Sequence, residues 1–271
     1  NRLLKESQFE NIHIPPSPGD AGSAVGCAQY LHFVHNSNKR IIETNNAKRV
    51  QENIYVGPSF SQDEINQFLN SNNISYESFE KKSLLEKTVK LIANGNIVGW
   101  YQGKMEWGPR ALGNRSILAD PRRKEMKDIL NEKIKHRESF RPFAPSILEE
   151  HYSEYFDISI PSPYMLMVAP VKKPDKIPAV THVDGTGRVQ TVSKNSNPLY
   201  HKLISKFHEL TGIPVIINTS MNVRGEPIVN TPEQAYNMLI KTDMDYEEAN
   251  KKCNEVFYDY SRGINLGFTS R

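Results

Sequence analysis

Only two cysteines occur among 271 residues, Cys27 and Cys253, far apart and outside any CxxC spacing. This excludes a disulfide framework or a cysteine zinc site and fits a reducing, cytoplasmic setting. Long hydrophobic runs are also missing. The longest, 164–171 and 213–217, fall far below the roughly 18 residues that a membrane span needs, so no transmembrane segment or signal peptide is expected. There is no Walker A loop and no Rossmann fingerprint. An excess of one charge is lacking as well, since 34 Lys and Arg against 31 Asp and Glu leave only +3. With 24% charged and 38% hydrophobic residues, the chain lies outside the disordered and collagen-like classes. It begins at Asn1 rather than a methionine, as expected of a fragment.

The small net charge hides a concentration. Residues 104–141 hold eleven Lys and Arg against six Asp and Glu, which leaves the remainder at −2. A basic focus in a near-neutral chain points to an anionic ligand at one place. Within it, Arg122, Arg123, Lys124 and Lys127 read as a solvated helix face.

The chain opens with a Pro-rich approach, then Gly19-Asp20-Ala21-Gly22 and a small-residue helix carrying Ala24, Val25, Ala28 and Leu31. A polar stretch over 36–53 reads as a linker. Beyond it, helices alternate with strands. Capping boxes at Ser61 and Ser83 open two helices, and 97–101 has the content of a buried strand. Asp120-Pro121 reads as the N-cap and first residue of a helix with Met126, Ile129, Leu130 and Ile134 on one face. Another helix carries Leu199, Leu203, Ile204, Phe207 and Leu210 and stops at Gly212. A strand at 215–218 and a helix capped by Thr231 follow, with further strand candidates at 164–170 and 187–192. This is α/β or mixed α+β grammar.

Four clusters can carry chemistry. The loop over 102–116 leaves a strand and is rich in glycine. Arg110 and Arg115 there are forked donors suited to planar oxyanions, and Gly103, Gly108 and Gly113 let backbone amides approach a phosphate. The competing reading is a structural loop whose arginines pair with its own acids, such as Glu106. Lys135, Arg137 and Arg141 stand close together, with Arg141 between Phe140 and Pro142-Phe143; cations there also complement a helix terminus. The third cluster, 181–188, combines His182, Asp184 and Arg188. The fourth, 218–227, leaves a strand with Asn218, Ser220 and Asn222. Together they describe a nucleotide or acyl phosphate site without a P-loop.

The pairing of Lys135-His136-Arg137 with Ser220-Met221-Asn222 resembles the KxR and SxN signature of the YrdC-like fold. GWYQGKMEWGPRALGNRSILADPR, FRPFAPSIL, PAVTHVDGTGRVQTV and INTSMNVRGEPIV are similar to blocks of the NodU/CmcH O-carbamoyltransferases. The Gly19-Asp20-Ala21-Gly22 run resembles the close of that family's actin-like ATPase-fold domain. The resemblance covers roughly 9–246. It implies a mixed α/β, YrdC-like twisted sheet with flanking helices over 54–246. Before this would come an incomplete actin-like remnant at 1–40 and a linker at 41–53. The divergent tail, 247–271, departs from the family, which usually closes on a hydrophobic strand; loss of an edge strand would leave the chain marginal.

The implied reaction has two stages: carbamoyl phosphate and ATP, with Mg²⁺, form carbamoyl adenylate, and the carbamoyl group then passes to a hydroxyl of a sugar or natural-product acceptor. By resemblance, Arg110, Lys135 and Arg141 are the catalytic residues. With Arg137, Arg188, Asn218, Ser220 and Asn222 they bind carbamoyl phosphate and ATP. A divalent metal, iron by resemblance, serves the second stage in the actin-like domain, where Asp20 matches one ligand. That family's HxxxH ligands have no counterpart here, since His32 and His35 have the wrong spacing. The partner domain would be the rest of the actin-like unit. Competing readings are a threonylcarbamoyl-adenylate synthase for tRNA modification and a nucleic-acid-binding module, the latter disfavoured by the modest net charge and few interleaved aromatics.

Overall fold

The computed structural model describes residues 2–9, 12–38 and 54–242, together with the backbone of two strands at 255–259 and 265–270. The linker expected over 41–53 and the start of the tail at 247 lie outside the described residues. A short helix α1 (Arg2–Glu6) precedes α2 (Asp20–Tyr30), which runs on as a π-helical turn over Leu31–His35 with no buried residue in either.

The rest is built on one mixed sheet. Its strands are β1 (Tyr76–Phe79), β2 (Ile97–Gln102), β3 (Arg115–Ala119), β4 (Ala144–Leu148), β5 (Met167–Pro170), β6 (Thr186–Val192), β7 (Val215–Ser220), β8 (Glu255–Asp259) and β9 (Asn265–Ser270). They lie in the order β1-β8-β9-β2-β3-β7-β4-β6-β5. β1 with β8 and β4 with β6 are parallel, and the other neighbours are antiparallel. Every residue of β2, β3 and β4 is buried, as expected of central strands covered on both faces.

The tail reverses one expectation. All six residues of β9 pair with β2, and β8 bridges β9 to β1. No edge strand is lost, because 247–271 supplies two.

Helices cover the sheet as the apolar periodicity predicts. α3 (Gln62–Ser71) opens on the Ser61 capping box and buries Ile65 and Leu69. α4 (Lys81–Ala93) starts two residues before the expected cap at Ser83. Glu80 is its N-cap, and Ser83 lies inside the first turn. Asp120 caps no helix: it is fully buried and holds the amide and guanidinium of Arg122. A short α5 (Met126–Ile129) therefore begins later, and a π-helical turn over Leu130–Lys135 continues it. α6 (Tyr152–Tyr155) is one turn. α7 (Pro198–Thr211) buries Tyr200, Leu203, Ile204 and Phe207 while Leu210 stays exposed. α8 (Pro232–Lys241) carries the expected Thr231 capping box. Among the described residues no helix is long and apolar enough to cross a membrane.

Candidate active site on the central strands

The antiparallel register of β7 with β3 and β4 sets the site, because side chains at alternate positions share one face. Asn218 and Ser220 on β7 lie on the same face as Ser146 of β4 and as Arg188 and Gln190 of β6. The loop between β2 and β3 covers that face. Asn218 Nδ2 donates to the Ala111 carbonyl at 3.2 Å and Gln190 Nε2 to the Leu112 carbonyl at 2.9 Å. Asn218 also donates to Gln190 Oε1 at 2.8 Å.

The two halves of the KxR and SxN signature meet. The π-helical turn delivers Lys135, 4% exposed, to the end of β7. There its ammonium donates to the Ser220 carbonyl, to the Asn222 carbonyl at 2.8 Å and to Asn222 Oδ1 at 2.9 Å. Ser220 Oγ donates to Asn222 Oδ1 at 2.6 Å, closing the cluster. His136 leaves the turn in the left-handed region, with φ 44°, which redirects the chain. Arg137 then donates through Nε to Asn131 Oδ1 at 2.7 Å and stacks 4.8 Å above the Phe143 ring. Buried Asn131 also donates to the Arg141 carbonyl at 3.0 Å, so it shapes the whole turn. It had no signal in the sequence beyond being a polar residue beside an apolar stripe.

The remaining cations gather around this center. Burial and then the charges of Arg110 and Arg137 pull Arg188 down to about 10. Arg137 is lowered by burial and Arg141, against a smaller opposing effect of Glu138. The Nε atoms of Arg110 and Arg188 are buried without a hydrogen-bond partner among the described residues. Arg141 differs from its sequence picture: it lies half exposed beside an exposed Phe140 and pairs with Glu138 at 2.8 Å. Arg224 adds a further charge near Glu138, and Arg137, Glu138 and Arg224 line a cleft of about 450 Å³.

Burial first, and Arg137 second, push Lys135 down to about 7. The folded chain therefore binds this proton less tightly than the unfolded chain, and stability is expected to rise as pH goes from about 7 toward the ordinary lysine range. Denaturant unfolding across this range checks the rise, and Lys135→Met should lack it.

Arg115 overturns its sequence reading. It is wholly buried, its guanidinium donates to the carbonyls of Gln102 at 2.7 Å, Asn114 at 2.9 Å and Pro58 at 3.1 Å, and it stacks 3.7 Å above Tyr101. No accessible donor is left for an oxyanion, and the group serves as a structural clasp. Glu106 also departs from the expected pairing with arginines, since its carboxylate accepts backbone amides. Gly113 is required in this loop: φ is 109° and an added Cβ would stand 2.3 Å from the ring of buried Tyr200. Gly113→Ala is expected to cost roughly 2–4 kcal/mol, combining left-handed strain with overpacking. Denaturant unfolding measures this directly.

His182 sits in the turn before β6, with Nδ1 3.0 Å from Thr186 Oγ1, and exposed Asp184 accepts from the Thr186 amide and hydroxyl at 3.0 and 2.7 Å. Both shape the hairpin that presents Arg188. Asp20 is an exposed first residue of α2, apart from these groups in the chain. His32 and His35 lie at the other end of the same helical segment, exposed. Among the described residues no three His, Cys, Asp or Glu side chains are grouped to hold a metal ion. Asp20 stands as a single carboxylate, the one ligand that the resemblance assigns to this chain.

The Carbamoyltransferase C-terminus family model matches residues 89–253, more than half of the chain. The Synechocystis protein sll1178 is 44% identical over 269 residues, covering 90% of this chain and 43% of its own length. Nodulation protein NolNO of Sinorhizobium fredii is 40% identical over 250 residues, covering 90% of this chain and 36% of its own. Among solved structures, HypF in its phosphate- and nucleotide-bound form aligns with a TM-score of 0.43 and 17% identity, over 66% of this chain and 25% of that one. The chain spans less than half the length of these two curated relatives. Carrying that family's C-terminal region over most of its central sheet, the chain belongs to the carbamoyltransferase family.

Proposed function

We propose that the face formed by β3, β4, β6 and β7 is the adenylate-forming center of an O-carbamoyltransferase. The observation that carries this reading is the cluster of mutually repelling guanidinium groups at Arg110, Arg137 and Arg188, two of them with buried, unpartnered Nε atoms. Such a cluster is costly unless a polyanion neutralises it, and ATP with carbamoyl phosphate brings several negative charges.

In the proposed reaction, water cleaves carbamoyl phosphate to carbamate and inorganic phosphate. A carbamate oxygen then attacks the α-phosphorus of ATP. The new O–P bond forms as the bond to pyrophosphate breaks, giving carbamoyl adenylate. No covalent nucleophile from the protein is needed. Arg110, Arg137, Arg141 and Arg188 hold the phosphates and stabilise charge that develops on the departing oxygens. Lys135 fixes the Ser220 and Asn222 turn, whose side chains meet carbamoyl or phosphate oxygens. Asn218 retains a buried Oδ1 without a partner, an acceptor suited to the carbamoyl N–H. Mg²⁺ would accompany the triphosphate and supply further charge neutralisation. Transfer to a hydroxyl-bearing small molecule, and the metal that Asp20 would help to hold, belong in this proposal to the portion of the relatives that this chain does not span.

The test is exchange of labelled pyrophosphate into ATP. Exchange that requires carbamoyl phosphate supports the proposal. A folded chain that binds ATP and carbamoyl phosphate yet shows no exchange contradicts it.

A further inference from the structure

The loop that carries Arg110 closes over a buried carboxylate. Glu106, 5% exposed, accepts the amides of Leu112 at 2.7 Å and Asn114 at 2.7 Å through one oxygen, with Arg115 N–H at 3.3 Å. Its backbone bridges Tyr55, and the next amide, Trp107 N–H, donates to the Ile54 carbonyl at 2.7 Å. The carbonyls of the same loop are taken from the other side. Leu112 receives the Tyr55 hydroxyl at 3.0 Å and Gln190 at 2.9 Å, while Ala111 receives Asn218. Arg110 sits in the span between the two clamped ends. Its own Nε finds no partner among the described residues, so its place is set by the loop backbone. A buried carboxylate is expensive unless its hydrogen bonds are made, and here those of Oε1 are spent on loop amides that an anion would otherwise attract, while Oε2 has no partner among the described residues.

We infer that Glu106 is a positioning residue: by occupying the amides at 112, 114 and 115 it fixes the loop so that Arg110 faces the anion shared with Arg188. The inference rests on the proposed function, in that it takes Arg110 as an anion ligand. A carboxamide can accept the same amide hydrogen bonds, whereas a side chain one methylene shorter cannot reach them without dragging the loop.

The experiment is calorimetric titration of the intact 271-residue chain with inorganic pyrophosphate, alongside thermal melts. Glu106→Gln is expected to bind within about threefold of the parent, and Glu106→Asp and Glu106→Ala to bind at least about tenfold more weakly, since an ångström of misplacement is enough to lose that much. The double variant Glu106→Ala with Arg110→Gln should bind no more weakly than Arg110→Gln alone, the non-additivity expected of two residues acting as one. Full affinity in Glu106→Asp, or a double variant whose losses add, overturns the inference while leaving the site assignment standing. If Glu106→Ala does not fold, the comparison of Gln with Asp decides, and equal affinities overturn the inference. An Arg110→Gln chain that binds pyrophosphate as tightly as the parent instead overturns the assignment of Arg110, and the role of Glu106 with it.

Discussion

Arg188→Gln is expected to lower carbamoyl phosphate-dependent ATP–pyrophosphate exchange by about 10²–10³-fold, the scale for removing one preorganised charged donor. The same chain should melt no lower than the parent. Arg188 is half-buried on β6 and lowered to about 10 by burial and by Arg110 and Arg137, and its Nε has no partner among the described residues. Removing it therefore breaks no side-chain hydrogen bond found among the described residues and relieves repulsion between cations. A structural arginine would show the opposite pattern, with stability lost and turnover falling only in proportion. Exchange kinetics together with a thermal melt on one preparation separate the two.

Arg115→Met should show that opposite pattern. The substitution leaves the carbonyls of Pro58, Gln102, Gly103 and Asn114 without their shared donor inside a wholly buried site. Neutral Met has the length but none of the hydrogen bonds; the Pro58 and Asn114 carbonyls keep the Met105 and Gln102 amides, so the penalty comes from the charged donor's lost bonds, above all those to Gln102 and Gly103. A loss of about 3–5 kcal/mol is expected, which for a chain of this size lowers the melting temperature by about 10 °C. Arg115→Lys should rescue little, because one ammonium cannot span four carbonyls from a single fork. Equilibrium denaturation measures the loss, and an Arg115→Met chain as stable as the parent contradicts the clasp.

These two arginines show where the sequence was legible and where it was not. Arg110 and Arg115 stand five residues apart in one glycine-rich loop and read alike as oxyanion donors. The fold divides them: Arg115 begins β3 and points into the sheet, whereas Arg110 lies in the loop above it. That division depends on β3, which the sequence hid because its residues directly follow a loop with glycines at 103, 108 and 113. β4 was hidden by Pro145, tolerated there although the strand is central. Periodic helices and the β-branched strands at 97–102 and 215–220 were readable, since their burial repeats at the element's own period. The tail strands were not, because beyond their pairing with each other their partners lie far off in the chain: β9 pairs with β2 and β8 with β1.

Within the site, the meeting of Lys135 with Ser220 and Asn222 was legible as a motif, and the geometry gives it a physical form in the ammonium held by their oxygens. The geometry also alters what Lys135→Ala should do. The sequence alone suggests a chain relieved of a repelling charge. The structure places three donors of Lys135 against acceptors at the end of β7, so its removal should lower stability as well as activity. Glu106 and Asn131 carried no comparable signal, because each acts on the backbone of a loop whose path only the fold reveals.

The most direct test of the central claim follows an oxygen atom. Carbamoyl phosphate labelled with ¹⁸O in both carbamoyl oxygens is incubated with ATP, Mg²⁺ and this chain, and the AMP released when hydroxylamine attacks the carbamoyl carbon, breaking the carbon–oxygen bond, is weighed by mass spectrometry. Attack of carbamate on the α-phosphorus places one labelled oxygen in AMP. Unlabelled AMP, or ADP as the product, contradicts the account.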